Sequence, residues 1–466
     1  MDFRSTTVAA LAAEVAAKKV SSRELVQGAL DRIDEVNGKV NAFVVVDGEA
    51  ALREAATLDD KIAKGEAVGA LAGIPIGVKD LEDAAGFPTS MGSALFADRP
   101  PVDADSPFVA RLRAAGCVVV GKTNTPEMGW KGDTVNPRWG ATANPWDLTR
   151  SAGGSSGGSA AALASGMVPL CTGSDGGGSI RIPAAICGLS GMKPSLGRVP
   201  IGDRTPPGWA DLSTRGPMAR TIRDITLALD CSVGPDPHDI RSLPMPTASW
   251  SRSLEELAVP MRIGWSPTLG YAKVDPEVQS ICERAIRKLA DRGSEIVPID
   301  RVFDEDPVRS WLSLTMVGDL RMVEHHRGTP EWDKLDPDHV RMLEAFGANV
   351  SATELLAAQD QTHLLNLKLV DVFHQAQVLC TPTVGGQVGP IGEYGTIDGE
   401  PDPFWISFTY PFNMTRSPAG TVCAGFTQSG LPVGLQVIGP QHGDVAVLRT
   451  LAAVEDAMAL DRLAPI

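Results

Sequence analysis

A chain of 466 residues, 43% hydrophobic and 21% charged, has the makeup of a soluble globular protein with room for one large domain or two to three smaller ones. A formal net charge of −15 with no basic run excludes the positive face that nucleic acid needs, so no nucleic-acid partner is expected. Seven cysteines, odd in number, scattered and without a CxxC pair, argue against a disulfide framework or zinc site and for reduced, cytoplasmic thiols.

The opening MDFRSTTVAALAAEVAAKK is not a secretory leader, because Glu14 and two lysines break its apolar run. No stretch approaches the length of a membrane span, and no membrane partner is expected. The first 65 residues read as helical. Ser21 with Glu24 fits a capping box, and Leu25, Ala29, Ile33 and Val36 follow at helical spacing. A short β-rich run, Ala42 to Val46, precedes another helix. From Leu71 the pattern becomes strand, loop and helix: IPIGV, a loop through Arg99, then a helix from about Asp105 to Ala115. CVVVG (117–121) and VPLCTG (168–173) read as buried strands, apolar without alternation. Such strands alternating with helices predict an α/β fold whose sheet is covered on both faces.

The segment from about Gly234 to Gln377 is richer in charge and in long helical patterns, and Pro235, Pro237, Pro244 and Pro246 mark where it begins. One strand, RIGW (262–265), precedes a helix from Asp275 to Arg292. Apolar strands return at VLCTP (378–382) and LPVGLQVIGP (431–440), and a helix from Asp444 to about Ala459 follows. The expected organisation is one domain over 1–466: a helical region 1–65, a core of about 66–233 plus 378–466, and a variable helix-rich middle 234–377.

Three short patterns mislead. Residues 116–123, GCVVVGKT, match the phosphate-loop pattern, yet Cys-Val-Val-Val favours a strand over an open loop, and Asn-Thr-Pro follows where a helix should start. Gly153-Gly-Ser-Ser-Gly157 matches a nucleophile elbow, which would make the chain an α/β-hydrolase-like esterase using Ser155. That elbow must follow a strand, and Trp146 to Ala152 does not read as one. His325, His326 and His339 lack HExxH or carboxylate spacing, so no metal is implied.

The chemistry concentrates in two serine–glycine clusters and one upstream lysine. Ser179 follows Asp175-Gly176-Gly177-Gly178, where three glycines present N–H groups without side-chain obstruction. Such donors stabilise the oxyanion formed on nucleophilic attack at a carbonyl. Lys79 in GIPIGVKD sits among Ile76, Val78 and Leu81, a setting compatible with burial of a lysine that must be neutral to act as a base. Serines, a lysine and a donor nest are the parts of an acyl-transfer site that works without histidine.

These residues resemble the amidase signature family. The likeness lies in GIPIGVKD (73–80), GKTNTPE (121–127), ATANPWD (141–147), the run from Gly153 to Pro200, NMTRSPAG (413–420) and GLPVGLQVIGP (430–440), and so spans almost the whole chain. The resemblance implies one large domain built on a central mixed, twisted sheet with helices on both faces. It also implies a Ser–Ser–Lys triad: Ser179 as nucleophile, Lys79 as base and Ser155 as the relay, Ser155 following a cis peptide bond from Gly154. Gly176, Gly177, Gly178 and Ser179 would supply the oxyanion donors. Asp175 and Arg181 would pair to hold the loop, and Ser156 is the neighbour that could displace Ser155 as relay. No cofactor is implied.

The family resemblance leaves two branches. One is the free-standing amidase, cleaving the C–N bond of a small-molecule carboxamide, with esterase activity on the side. The other is the glutaminase component of a glutamine-dependent tRNA amidotransferase. Thr125-Pro-Glu-Met-Gly-Trp130 departs from the acidic-aromatic run that this component carries after GKTN, which favours the free-standing branch. Trp130, Trp139, Trp209, Trp311 and the cluster Phe404, Trp405, Phe408 and Tyr410 are candidates for an apolar acyl pocket, and Trp146 is assigned to structure. Cys171 and Cys187 read as small core residues and Lys193 as a strand end. Many relatives are dimers, and by that analogy alone a homodimer is the corresponding expectation.

Overall fold

The N-terminal helices form where the capping pattern places them. The computed structural model describes residues 1–202, 206, 208–209, 211–255 and 259–466. Helix α1 (Val8–Ala16) starts on the Thr7 hydroxyl, and α2 (Ser22–Val40) on a reciprocal capping box between Ser21 and Glu24. The apolar stripe of α2, with Leu25, Ala29, Ile33 and Val36, is buried. Asn41, in the left-handed region, ends α2 and releases the chain into the strand Phe43–Val46, after which α3 (Gly48–Ala63) follows.

Eleven strands form one mixed sheet. Across it the order is Phe43–Val46, Val118–Thr123, Pro75–Lys79, Leu170–Asp175, Thr214–Ala219, Ser190–Lys193, Ala419–Phe426, Pro432–Ile438, Val378–Pro382, Arg262–Trp265 and Glu295–Pro298. Pro75–Lys79 runs parallel to both its neighbours, as does Arg262–Trp265, and the remaining pairs are antiparallel. The helices between these strands are α4 (Pro107–Ala114), α5 (Gly157–Ala164), α6 (Arg181–Ile186), α7 (Ile222–Ser232) and α8 (Pro276–Ala290). They continue with α9 (Val308–Val323), α10 (Pro337–Leu343), α11 (Ala352–Phe373), α12 (Pro411–Met414) and α13 (Asp444–Met458).

Every residue of α5, GGSAAALA, is buried, because its small side chains let the helix axis lie close against the sheet. The GCVVVGKT pattern lies on the strand Val118–Thr123, and Lys122 Nζ there bonds the carbonyl of Glu82 and the hydroxyl of Thr89. One expectation is corrected. Asp147–Ser151 is a strand, paired with Ala143–Asn144 in a separate two-stranded ladder. The exposure of Leu148 and Thr149, outside the main sheet, hid it from an apolar-run criterion. The elbow pattern at Gly153 therefore does follow a strand, and the case against it passes to what Ser155 touches.

Candidate active site

Lys79 ends the central strand Pro75–Lys79 and is completely buried. Its backbone N–H donates to Thr172 Oγ1 (3.0 Å). Its Nζ lies 2.8 Å from Ser155 Oγ and 2.9 Å from Ser174 Oγ. Thr172 and Ser174 alternate along the adjacent strand Leu170–Asp175, so the strand's period of two puts both hydroxyls on the lysine's side. Burial lowers the ammonium pKa from 10.5 to about 7, more than the nearby Glu82 and Asp175 carboxylates raise it. Ser155 follows a cis peptide bond from Gly154. The partner of Ser155 is thus an amine rather than the imidazole that an α/β-hydrolase serine needs.

Ser179 is the most open of the three, 8% exposed against 2% for Ser155 and 0% for Lys79. The Ser156 N–H donates to the Ser179 carbonyl (3.2 Å), locking the two serine clusters together. The loop carbonyls are tied back as well: Trp311 Nε1 donates to Gly176 O (2.9 Å) and Thr409 Oγ1 to Gly177 O (2.6 Å). Among the described residues the N–H groups of Gly176, Gly177 and Ser179 have no protein acceptor. Gly178 differs from expectation. Its N–H donates to Asp175 Oδ1 (2.7 Å), so its hydrogen is engaged by the supporting carboxylate.

Asp175 and Arg181 form the expected pair, both side chains fully buried, at 2.9 Å (Nε to Oδ2) and 2.8 Å (Nη2 to Oδ1). Burial alone would raise the Asp175 pKa. The Arg181 guanidinium overrides it and holds the carboxyl well below the usual carboxylate range. Arg181 also donates to Thr409 O, Gln436 Oε1 and Asn413 Oδ1, which joins the loop to the C-terminal strands. Burial pushes the Cys171 thiol up to about 12, leaving it inert, and Cys187 shifts the same way. Lys193 is buried with its Nζ on the Pro194 carbonyl.

The aromatic candidates separate. A Cβ at Gly176 would fall 2.3 Å from Trp209 Cε3 and one at Gly177 would fall 2.4 Å from Trp311 Cζ2, so these two indoles form a wall against the glycine loop. They meet edge to face at 6.0 Å, and Tyr410 stacks on Trp311 at 5.3 Å. Trp130 follows the turn Glu127–Gly129, and a Cβ at Gly129 would lie 3.1 Å from Ser155 Oγ. Phe404 is 52% exposed, whereas Trp405 and Phe408 lie in two different core clusters. From that stretch it is Thr409 that touches the loop. Trp146 is structural as expected, its Nε1 on the Cys187 carbonyl.

Sequence reasoning missed Ser174, which the alternation of Thr172 and Ser174 could have suggested. It also missed Glu127, Asp319 and the bridging place of His339 between them. His339 is buried, with Nδ1 3.0 Å from Glu127 Oε2 and Nε2 3.3 Å from Asp319 Oδ2. His325 and His326, by contrast, stand in a short turn with no buried side chain.

Fold and site together place the chain in an amide-cleaving class of enzymes. The family model described as Amidase matches residues 24–448, and the chain belongs to the amidase signature family. It is 35% identical to an acylamidase of Rhodococcus erythropolis over 96% of this chain and 94% of that one. It is 34% identical to the A subunit of the glutamyl-tRNA(Gln) amidotransferase of Chloroflexus aggregans, over 95% and 94%. The structure of a bacterial aryl acylamidase of the same family superposes with a TM-score of 0.92 at 29% identity, covering 100% of this chain and 99% of that one.

Proposed function

We propose that this chain is a free-standing amidohydrolase that cleaves a small-molecule carboxamide to a carboxylate and an amine or ammonia. The observation that carries this reading is the buried Lys79 amine, its pKa lowered to about 7, 2.8 Å from Ser155 Oγ. Neutral Lys79 accepts the Ser155 proton while Ser155 accepts that of Ser179, and Ser179 Oγ bonds to the carbonyl carbon. The N–H groups of Gly176, Gly177 and Ser179 receive the oxyanion, each such donor contributing roughly 3–4 kcal/mol. Collapse breaks the C–N bond, the proton returns through Ser155 to the departing nitrogen, and water then hydrolyses the acyl-enzyme. An ester presents the same carbonyl with a better leaving group, so side activity on esters follows. Seven free cysteines support a reducing, cytoplasmic setting.

The 34% identity to an amidotransferase component favours a second reading, a glutaminase that works with partner proteins. Turnover of a mixed panel by the purified chain alone separates the two. The panel holds short aliphatic amides, anilides, linear oligoamides, esters and glutamine, read by mass spectrometry. Hydrolysis of a non-glutamine amide supports the free-standing enzyme. Cleavage of glutamine alone, or no turnover until partner proteins are added, transfers the assignment to the glutaminase.

A further inference from the structure

The two sides of the site are built from segments far apart in sequence, and one buried histidine touches both. On one side the turn Glu127–Gly129 packs beside Ser155, where a Cβ at Gly129 would come within 3.1 Å of its Oγ. On the other, the Trp209 indole lies against Gly176 and its Nε1 donates to Asp319 Oδ1 (2.8 Å) on α9. His339, on α10, stands between the two carboxylates with Nδ1 3.0 Å from Glu127 and Nε2 3.3 Å from Asp319. Trp130 stacks flat on the imidazole at 5.4 Å and 2°. The three titratable groups are out of solvent: His339 and Glu127 are 0% exposed and Asp319 2%.

We propose that His339 is a positioning residue: its imidazolium ties the Glu127–Gly129 turn beside Ser155 to α9 and, through Asp319 and Trp209, to the Gly176–Ser179 loop, fixing the spacing across the site. The placement rests on the amidase reading above only for what the spacing is used for.

Two buried carboxylates on opposite sides of one ring repel each other unless the ring is a cation, which bonds Glu127 through Nδ1 and pairs with Asp319 by charge, the Nε2–Oδ2 approach lying outside hydrogen-bond geometry. Each carboxylate is also anchored away from the histidine. Glu127 accepts from Ser93 Oγ (2.6 Å) and from the Asp336 N–H (3.0 Å), and Asp319 from Trp209. Among the described residues, the charged groups against the ring are Glu127 from the turn and Asp319 from α9. Asp336 caps α10 and is 3.6 Å from Lys131, and Asp338 and Arg341 pair on the outer side of α10. Burial alone would lower the His339 pKa, but the two carboxylates reverse that and raise it from 6.5 to about 9. A raised pKa places the stabilisation fully below the unfolded value near 6.5, and it fades as pH rises through about 9.

Two measurements on the full chain test this, using wild type, His339→Gln and Asp319→Asn. The first needs no substrate: thermal unfolding between about pH 6 and pH 10. The Tm gap between wild type and His339→Gln should be widest near pH 6, shrink between about pH 6.5 and pH 9 and level off above that; a gap unchanged across the range overturns the clamp. The second follows kcat/KM against pH on a hydrolysed amide. Wild type should lose activity through about pH 9, His339→Gln should lack that alkaline limb, and Asp319→Asn should move it down by about one unit or more. A limb at the same pH in all three proteins, or none in wild type, overturns the positioning role. Should His339→Gln fail to fold, Asp319→Asn, a near-isosteric change, carries both readouts. Absence of turnover on every amide overturns the amidase reading and leaves the unfolding series to decide the clamp.

Discussion

To act as the base proposed above, Lys79 must shed a proton near neutral pH, which a solvated lysine does not do. Complete burial is the largest cause of its shift from 10.5 to about 7, opposed by the Glu82 and Asp175 carboxylates. The neutral fraction grows as pH rises, so kcat/KM should climb through about pH 7 and then level before any alkaline loss. A profile flat from about pH 5 to pH 8 would contradict Lys79 as the base. Lys79→Ala should cost about 10²–10⁴ in turnover, and Lys79→Arg should not rescue it because a guanidinium stays protonated. The two adjacent serines offer a sharper comparison. Ser155 Oγ contacts the lysine, whereas Ser156 Oγ donates, among the described residues, to the Ser174 carbonyl at 3.4 Å. Ser155→Ala is therefore expected to lower kcat far more than Ser156→Ala, and the reverse order would move the relay by one residue.

At the scale of elements, the strand Leu170–Asp175, the glycine loop and α6 act as one unit because Arg181 is bolted through them. Its fully buried guanidinium bonds Asp175, Thr409 O, Asn413 and Gln436. Removing one partner of such a pair leaves a buried uncompensated charge, a loss of about 3–5 kcal/mol. Arg181→Met should thus lower the denaturant midpoint by that order and also loosen the loop, depressing kcat more than KM changes. A variant with wild-type stability would show that the pair is ornamental. These elements also show what a sequence reveals. Apolar runs such as Val118–Val120 and Leu379–Cys380 are strands because only burial on both faces tolerates them, and Ser21 with Glu24 announced α2 through local capping. Lys79 and Ser155, which the fold brings to 2.8 Å, could be singled out because each sits in a dense, distinctive local pattern. The strand Asp147–Ser151 was not, since a two-stranded ladder outside the main sheet needs no apolar run. The Trp311, Asp319 and His339 contacts were equally hidden. Trp311 meets Gly176 and His339 meets Glu127 across more than a hundred residues of chain, and no local period encodes such meetings.

The whole molecule is where the middle third changes meaning. Its composition suggested a variable, helix-rich part of one domain with a single strand; Arg262–Trp265 pairs with Val378–Pro382, and a second strand, Glu295–Pro298, pairs with it and extends the same eleven-stranded sheet. Its helix α9 reaches back to the site, where Trp311 Nε1 holds the Gly176 carbonyl at 2.9 Å. A chain of this size commonly unfolds through intermediates, particularly where parts can separate. Here separation would open the sheet between Arg262–Trp265 and Val378–Pro382 and strip Trp311 from the glycine loop, exposing apolar surface on both parts. The nine tryptophans make the question measurable, because Trp250, Trp265, Trp311 and Trp332 lie in the middle third and the other five elsewhere. Heating should give one transition, with coincident midpoints by far-UV circular dichroism and tryptophan fluorescence. The same midpoint should govern loss of amidase activity. An early fluorescence step with the circular dichroism signal largely intact would mean that the middle third melts alone. The contacts from α9 would then be too weak to hold the loop, and activity should vanish with that first step rather than with the second.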